Sequence, residues 1–156
     1  MIHSPHAHAI APASLAHAHE IAALSSELGY QTSIDETRTV LSQLLDSSRH
    51  FVAVAAAPDG RLLGWVVAER RLMLESGEFV ELTGLVVTAA LRRSGVGSLL
   101  VEAAEQWAWQ QGFRSIRVRS NVARNESHPF YERLGYQRTK TQHSYRKTLQ
   151  ASQSVL

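Results

Sequence analysis

Residues 85–100 read Leu-Val-Val-Thr-Ala-Ala-Leu-Arg-Arg-Ser-Gly-Val-Gly-Ser-Leu-Leu, within a chain of 156 residues. The first three are apolar and two of them are β-branched, which predicts the end of a buried strand. From Val96 to Trp107 apolar residues recur with helical spacing, and Gly112 follows as a typical helix end. The stretch therefore predicts a strand, a glycine turn and a helix in succession.

The turn between this strand and helix has the properties of an anion site. Backbone N–H groups at the start of a helix have no partner within the helix, and the helix dipole favours negative charge there. Gly95 and Gly97 would let a phosphate approach the backbone, and Arg92 and Arg93 add positive charge. The same residue types also occur in ordinary turns, so a phosphate site and a plain connection are both open on these grounds.

Two familiar phosphate loops do not fit the turn. A P-loop requires a lysine directly after its last glycine, and no lysine follows Gly97. A dinucleotide fingerprint counted from Gly95 has Leu100 where its third glycine belongs. What remains is the pattern Arg92-x-x-Gly95-x-Gly97, which resembles the acetyl-coenzyme A loop of the GNAT superfamily of N-acetyltransferases.

A second stretch resembles the same superfamily. Residues 126–136 read Glu-Ser-His-Pro-Phe-Tyr-Glu-Arg-Leu-Gly-Tyr. They are similar to the family pattern Asn-x-x-Ala-x-x-Phe-Tyr-x-x-x-Gly-Phe/Tyr. Phe130-Tyr131 and Gly135-Tyr136 match at the correct spacing, while Ser127 takes the alanine position. The resemblance extends over about residues 8–149.

The resemblance implies acetyl-coenzyme A as cofactor. The family asparagine that helps to hold it falls on Arg124; Asn121 and Asn125 are alternatives, and the sequence does not choose among the three. In the family, the strand end also pairs with the pantetheine arm, and the N–H of Val87 would stabilise the oxyanion. The implied cofactor-binding residues are Leu85, Val86, Val87, Arg92, Arg93, Ser94, Gly95, Val96, Gly97, Ser98, Asn121, Arg124, Asn125 and Tyr131.

Tyr131 is the candidate general acid. Attack of an amine on a thioester releases a thiolate, and a phenol within hydrogen-bond reach of the sulfur can protonate it. From the residues alone a packed helix tyrosine is the simpler interpretation; the resemblance favours the acid role.

Glu81 is the candidate general base, because an ammonium has no lone pair until it loses a proton. Its position resembles that of the base in the histone-modifying branch of the family. An unbroken strand would place Glu81 on the same face as Leu85 and Val87. A surface glutamate is the competing interpretation, and Glu78 and His128 are weaker candidates for the base.

The composition excludes several classes of protein. Hydrophobic residues make up 44% of the chain and charged residues 19%, as in an ordinary globular protein, which predicts a single domain over residues 1–156 with a core at about 8–149 and loose termini. The absence of cysteine excludes disulfides and cysteine nucleophiles. No metal site is expected, because the spacing of the N-terminal histidines does not bring them to one ion. Without an apolar span or a recognisable signal peptide, we expect a cytoplasmic protein and no membrane partner.

Charge is distributed unevenly along the chain. Residues 1–91 contain 5 Lys/Arg and 10 Asp/Glu, a balance of −5, whereas residues 92–156 contain 11 and 4, a balance of +7. A polyanion would be drawn to the second half, and coenzyme A fits this requirement. Nucleic acid is not expected, because the chain has no nucleic-acid motif and no basic run with interleaved aromatic residues.

Periodicity and turn signals divide the rest of the chain. A strand is expected at residues 8–12, then helices over about 15–28 and after Ser33, where Ser33-x-x-Glu36 forms a capping box. Strands are expected over about 51–57, 62–71, 79–87 and 116–119, followed by a short helix over about 127–134 and closing strands at about 136–139 and 142–148. This order is α+β and matches the GNAT fold, with a mixed, mostly antiparallel sheet of about seven strands and about four helices.

The resemblance implies an N-acetyltransferase in which the amine attacks acetyl-coenzyme A directly in a ternary complex. The segment 29–33 would border the acceptor pocket. The acidic first half favours a cationic acceptor, either a small molecule or a protein amine, and a homodimer is compatible with the chain. Two alternatives stay open: a coenzyme A-binding module without catalysis, and an acyltransferase with another acyl donor or acceptor.

Overall fold

The computed structural model describes residues 9–91, 94–119 and 127–151. The chain divides into two compact units, Met1–Arg119 and Ser120–Leu156. The first unit contains β1 (Ala9–Pro12), α1 (Ala18–Glu27), α2 (Ile34–Asp46), β2 (His50–Ala56), β3 (Leu62–Met73), β4 (Gly77–Val87), α3 (Val96–Gln110) and β5 (Arg117–Val118). Short 3₁₀ turns at Leu15–His17 and Ala89–Leu91 precede α1 and follow β4. The second unit contains α4 (Ser127–Arg133).

The described strands form one mixed sheet in the order β1-β2-β3-β4-β5. Neighbours from β1 to β4 are antiparallel, whereas β5 runs parallel to β4. The connection from β4 to β5 contains α3, as expected for two parallel neighbouring strands. The predicted α+β class and mixed sheet are therefore confirmed.

Helices cover both faces of the sheet. Phe51 and Val52 are neighbours in β2 and so project to opposite faces. Phe51 stacks on Trp107 of α3 with ring centroids 5.6 Å apart, whereas Val52 belongs to the core under α1 and α2. That core contains Ile21, Leu24, Leu41, Val54 and Val86. On the α3 side, Val66, Leu100, Val101 and Ala104 are almost fully buried.

Local signals predict most of the described elements well. The Ser33 half of the predicted capping box is confirmed, because its hydroxyl accepts the N–H of Glu36 at 3.0 Å. Gly112 has a φ of 95° just after α3, a left-handed conformation that suits glycine at a helix end. Within the described residues, no helix is long and apolar enough to cross a membrane.

The predicted number of strands is wrong. The described residues give five strands rather than about seven, because residues 136–151 contain no strand. A strand is stabilised mainly by burying one apolar face. This segment carries Arg138, Lys140, Arg146 and Lys147, and its Tyr145 and Leu149 side chains are exposed. Residue alternation alone did not reveal that the segment has no buried face.

Candidate active site

The glycine turn begins where β4 ends. The N–H of Thr88 donates to the carbonyl of Leu63 at 2.8 Å, which continues the link to β3. After the 3₁₀ turn, the N–H of Ser94 donates to the carbonyl of Leu91 at 3.2 Å, and the Ser94 hydroxyl donates to the same carbonyl. Arg92 and Arg93 lie outside the described residues.

Gly95 makes the entry into α3 possible. It precedes the helix with φ 92° and ψ −5°, a left-handed conformation that other residues rarely adopt. Its carbonyl accepts the N–H of Leu99 at 3.1 Å and so starts the helical ladder. As N-cap, Gly95 has no side chain to accept the first N–H groups of α3. The donors of Val96, Gly97 and Ser98 therefore point out of the first turn, where an anion can accept from them.

β4 has an open edge near its end. β5 pairs with β4 only at Glu81 and Leu82, whereas β3 pairs with β4 as far as Val87. In the described part of the chain, residues 83–87 therefore have a strand on one side and no ladder partner on the other. Unpaired strand edges accept extended ligands through backbone hydrogen bonds. The pairing of the pantetheine arm with residues 85–87 stays a prediction, and this edge leaves room for it.

A bulge interrupts β4 before this open edge. In the β3–β4 ladder, Gly84 lies opposite Val67 and Leu82 lies opposite Ala68, so Thr83 is an extra residue. Val67 and Ala68 point to opposite faces of the sheet. The extra residue therefore reverses the alternation of side chains in β4.

The bulge places Glu81 on a different face from the end of its strand. Glu81 lies opposite Glu69. Of the residues that follow the bulge, Val86 points to the same face of the sheet as Glu81, and it packs under α1 and α2. Leu85 and Val87 point to the other face. The expected common face of Glu81, Leu85 and Val87 is therefore wrong, because that expectation assumed an unbroken strand.

The buried carboxylate of Glu81 forms ion pairs with two arginines. Glu81 is only 5% exposed. One oxygen, Oε2, accepts from Arg71 Nη1 at 2.8 Å, and the other, Oε1, lies 3.1 Å from Arg119 Nε. The hydrogen bond to Glu81, and then its negative charge, raise the pKa of Arg71. The carboxylate thus joins β3, β4 and the residue after β5.

The alternative bases have different surroundings. Glu78 lies an odd number of residues before Glu81, so it points to the opposite face of β4. Its carboxylate pairs with Arg70 at 2.8 Å and with Arg49 at 3.2 Å. The side chain of His128 lies outside the described part of the chain.

Tyr131 lies in α4 between two aromatic neighbours. Its ring is 5.0 Å from that of Phe130 and 5.7 Å from that of Tyr136, both in edge-to-face arrangements. Gly135, with φ 93°, turns the chain after the helix, and the N–H of Tyr136 donates to the carbonyl of Tyr131 at 3.0 Å. The turn thus holds Tyr136 against Tyr131. Asn121, Arg124 and Asn125, the candidates for the family asparagine, lie outside the described residues.

A surface pocket of about 550 Å³ lies at the junction of α1 and α2. The segment predicted to border the acceptor pocket, residues 29–33, forms most of its wall. The sequence interpretation missed Ser26 and Glu36, which line the pocket from the flanking helices. Helical spacing could have indicated both, since each lies about one turn from the end of the segment.

Comparison with known proteins identifies the family. A family model described as the Acetyltransferase (GNAT) family matches residues 17–136. An aminoalkylphosphonate N-acetyltransferase of Salmonella typhimurium is 30% identical over 117 residues, covering 74% of this chain and 73% of that protein. An aminoglycoside N(6')-acetyltransferase type 1 of Serratia marcescens is 27% identical over 131 residues, covering 81% and 90%.

Solved structures share the fold. An aminoglycoside N-acetyltransferase in complex with coenzyme A superimposes with a TM-score of 0.83 at 22% identity, covering 94% of this chain and 99% of that one. An aminoglycoside 6'-N-acetyltransferase of Acinetobacter haemolyticus gives a TM-score of 0.78 at 26% identity, covering 91% and 99%. The chain therefore belongs to the acetyltransferase (GNAT) family, and it is an N-acetyltransferase whose cofactor is acetyl-coenzyme A.

Proposed function

We propose that the protein acetylates a small cationic amine by direct attack on acetyl-coenzyme A while both are bound. The observation that carries the proposal is the open edge of β4 leading into the uncapped first turn of α3. The edge suits the extended pantetheine arm, and the turn suits the pyrophosphate. Arg92 and Arg93 would add charge to the turn, and one of Asn121, Arg124 and Asn125 would take the role of the family asparagine.

The reaction needs one bond to form and one to break. The neutral amine attacks the acetyl carbonyl, the C–N bond forms, and the C–S bond breaks as the thiolate leaves. The N–H of Val87 would stabilise the oxyanion, and the Tyr131 hydroxyl would protonate the thiolate. Glu81 stays the predicted acceptor of the amine proton, but only through water, because its carboxylate is paired with Arg71 and Arg119 and lies on the other face of β4 from Val87. Direct transfer requires no covalent intermediate on the protein, in keeping with a chain without cysteine.

The pocket at the junction of α1 and α2 supports a cationic acceptor. Of the seven described residues that line it, Glu36 is the charged one, and five of the other six have a hydroxyl or amide in the side chain. An ammonium would be favoured next to this carboxylate, whereas a second anionic group would be repelled. This favours acceptors of the kind named for the aminoglycoside enzymes over the aminoalkylphosphonates named for the Salmonella relative.

We also propose that residues 1–156 form a single catalytic domain. The support is the family match, which runs over residues 17–136 and so includes sequence from both compact units. A cytoplasmic location and a homodimer stay predictions.

Acetyl-coenzyme A should raise the melting temperature of the protein, because a ligand that binds only the folded state stabilises it. Gly97→Glu should abolish this shift by placing a side chain and a negative charge in the phosphate site. The measurement is thermal unfolding with and without the cofactor. Gln106→Glu adds the same charge to an exposed position of α3 and controls for the charge, whereas Gly97 is buried, so the melting temperature of each variant without cofactor is its own reference.

Release of free thiol with a panel of amines then separates an enzyme from a binding module. Turnover of cationic amines is the expected result. A normal thermal shift without turnover of any amine would favour the binding module. A normal shift in Gly97→Glu would contradict the phosphate assignment. Longer acyl donors in the same assay would reveal a different acyl preference.

A further inference from the structure

Glu27, the last residue of α1, contacts the chain just beyond the end of β4. Its carboxylate accepts the Thr88 hydroxyl, with distances of 3.2 Å to Oε2 and 3.4 Å to Oε1. Oε2 also accepts the N–H of Ala89 at 3.3 Å. Thr88 directly follows Val87, whose N–H is the proposed oxyanion donor. A side chain 61 residues earlier in the chain thus holds the residue next to the reacting centre.

One of these contacts satisfies the backbone N–H of Ala89. Ala89 begins a 3₁₀ turn, and the first N–H groups of such a turn have no partner within it. A carboxylate is a good acceptor there because its charge strengthens the hydrogen bond. The N–H of Thr88 is already bonded to Leu63 on β3. Thr88 is therefore held from β3 on one side and from α1 on the other.

The residues around Glu27 form the pocket wall. Ser26, Gly29 and Tyr30 line the pocket, and Glu27 lies between them in sequence. The N–H groups of Gly29 and Tyr30 fold back onto the last turn of α1, which makes the wall continuous with that helix. A single carboxylate therefore links the wall of the pocket to the strand end that meets the thioester.

We propose that Glu27 is a positioning residue that sets the acceptor pocket against the cofactor strand. The proposal rests on the proposed function, which gives Val87 and the pocket their roles. Small displacements of groups at a reacting centre cost rate steeply, so a link of this kind acts on turnover more than on folding.

The experiment compares two variants of α1. Glu27→Ala removes the link to Thr88 and Ala89. Glu20→Ala is the matched control, because Glu20 also joins α1 to the sheet by accepting a backbone N–H, that of Leu62 at 2.9 Å. We expect Glu27→Ala to lower kcat about tenfold and to weaken coenzyme A binding about threefold. Glu20→Ala should change both by less than about twofold, although its shorter and more buried contact makes the loss of melting temperature at least as large as in Glu27→Ala.

A second pair of variants tests the partner. Thr88→Val removes the hydroxyl but leaves the Ala89 N–H bonded to Glu27, so it should cause part of the loss of kcat, whereas Thr88→Ser keeps the hydroxyl and should retain the wild-type kcat. Combined with Glu27→Ala, Thr88→Val should add little further loss, because both changes break the same contact. Equal kinetic effects of Glu27→Ala and Glu20→Ala, or additive effects of Glu27→Ala and Thr88→Val, would overturn the proposal.

The readouts separate this proposal from the function on which it rests. A wild-type protein that acetylates no amine would refute the proposed function. Binding of coenzyme A, measured by calorimetry, would still reveal whether Glu27→Ala differs from Glu20→Ala. If the wild type acetylates no amine and Glu27→Ala and Glu20→Ala bind coenzyme A with equal affinity, the role of Glu27 in positioning the cofactor strand is refuted as well.

Discussion

At the scale of the residue, the roles of Tyr131 and Glu81 depend on what surrounds each side chain. Tyr131 is partly exposed and has aromatic neighbours in Phe130 and Tyr136. Its aromatic contacts explain how a helix of seven residues holds the ring in one orientation. An oriented ring is what a general acid needs, because proton transfer requires hydrogen-bond reach.

Tyr131→Phe should lower turnover by about 10²-fold or more while leaving coenzyme A affinity nearly unchanged. The phenyl ring keeps the packing, and only the proton donor is lost. Steady-state kinetics and binding calorimetry measure the two effects. Tyr145→Phe is the control, since Tyr145 is 90% exposed. Unchanged turnover in Tyr131→Phe would return this residue to a packing role.

The buried carboxylate of Glu81 has two proposed roles, to stabilise the fold and to accept the amine proton, and one substitution tests the first of them. Glu81→Gln should lower the free energy of unfolding by about 1–3 kcal/mol, since two guanidiniums lose their counter-ion. The figure is below that of a fully buried pair because the side chains of Arg71 and Arg119 are 34% and 69% exposed. Urea unfolding measures the loss. Glu78→Gln is the matched control, and it should cost less because the carboxylate of Glu78 is 32% exposed.

The pH dependence separates the two roles of Glu81. If Glu81 takes the amine proton, Glu81→Gln lowers the rate strongly near neutral pH, and the rate recovers partly as pH rises because more amine is already neutral. Superimposable pH–rate profiles of the two proteins would assign proton transfer to solvent or to another residue.

The stability supplied by Arg71 has its own pH window. Because folding raises the pKa of Arg71, its contribution is complete below the ordinary arginine pKa and is lost only above that range. The stability lost in Arg71→Gln should therefore be the same at about pH 7 and about pH 10.

At the scale of the element, α2 presents two neighbouring carboxylates to different surroundings. Glu36 lines the pocket, whereas Asp35 lies 3.7 Å from Arg38 on the exposed side of the helix. Both lie in the first turn, where the helix dipole stabilises negative charge to a similar extent. The pair therefore isolates the effect of the pocket from the effect of helix stability.

Glu36→Gln should raise KM for diamines and other polycationic acceptors about tenfold, with little change for a neutral-tailed monoamine. The reason is the loss of one charge pair that the acceptor makes on binding. Asp35→Asn should leave every KM within about twofold, although it removes the same charge from the same turn. Steady-state kinetics over a matched amine series is the measurement. Equal KM values in wild type and Glu36→Gln would contradict a cationic acceptor. A lower wild-type KM for an amine with an anionic tail than for one with a cationic tail would contradict it as well.

At the scale of the whole molecule, the two halves of the chain have net charges of opposite sign. The balance of −5 in residues 1–91 and of +7 in residues 92–156 puts the positive charge after the start of the glycine turn. Long-range attraction of this kind is screened by salt, while short hydrogen bonds are much less affected.

Coenzyme A affinity should therefore fall several-fold between about 0.02 M and about 0.3 M salt. Dephospho-coenzyme A, which lacks the ribose phosphate, should lose less affinity over the same range because it carries less charge. Calorimetric titrations of both ligands measure the difference. Salt-independent binding of coenzyme A would mean that the charge asymmetry does not contribute to cofactor capture.

The sequence alone determined the elements whose signals are local. The strand before Thr88, the turn at Gly95, the capping of α2 by Ser33 and the family motifs could all be identified, because spacing along the chain sets both helical periodicity and turn geometry. The prediction of closing strands at about 136–139 and 142–148 was wrong, since alternation of residues does not reveal whether a segment has a face to bury.

Only the tertiary structure decided which distant groups meet. The bulge at Thr83 depends on the register of β3, and it alone explains why Glu81 and Val87 lie on different faces. The partners of Glu81 come from β3 and from the end of β5, and the link from Glu27 to Thr88 joins residues far apart in sequence. Such contacts follow from how the elements pack, and no spacing within a single stretch encodes them.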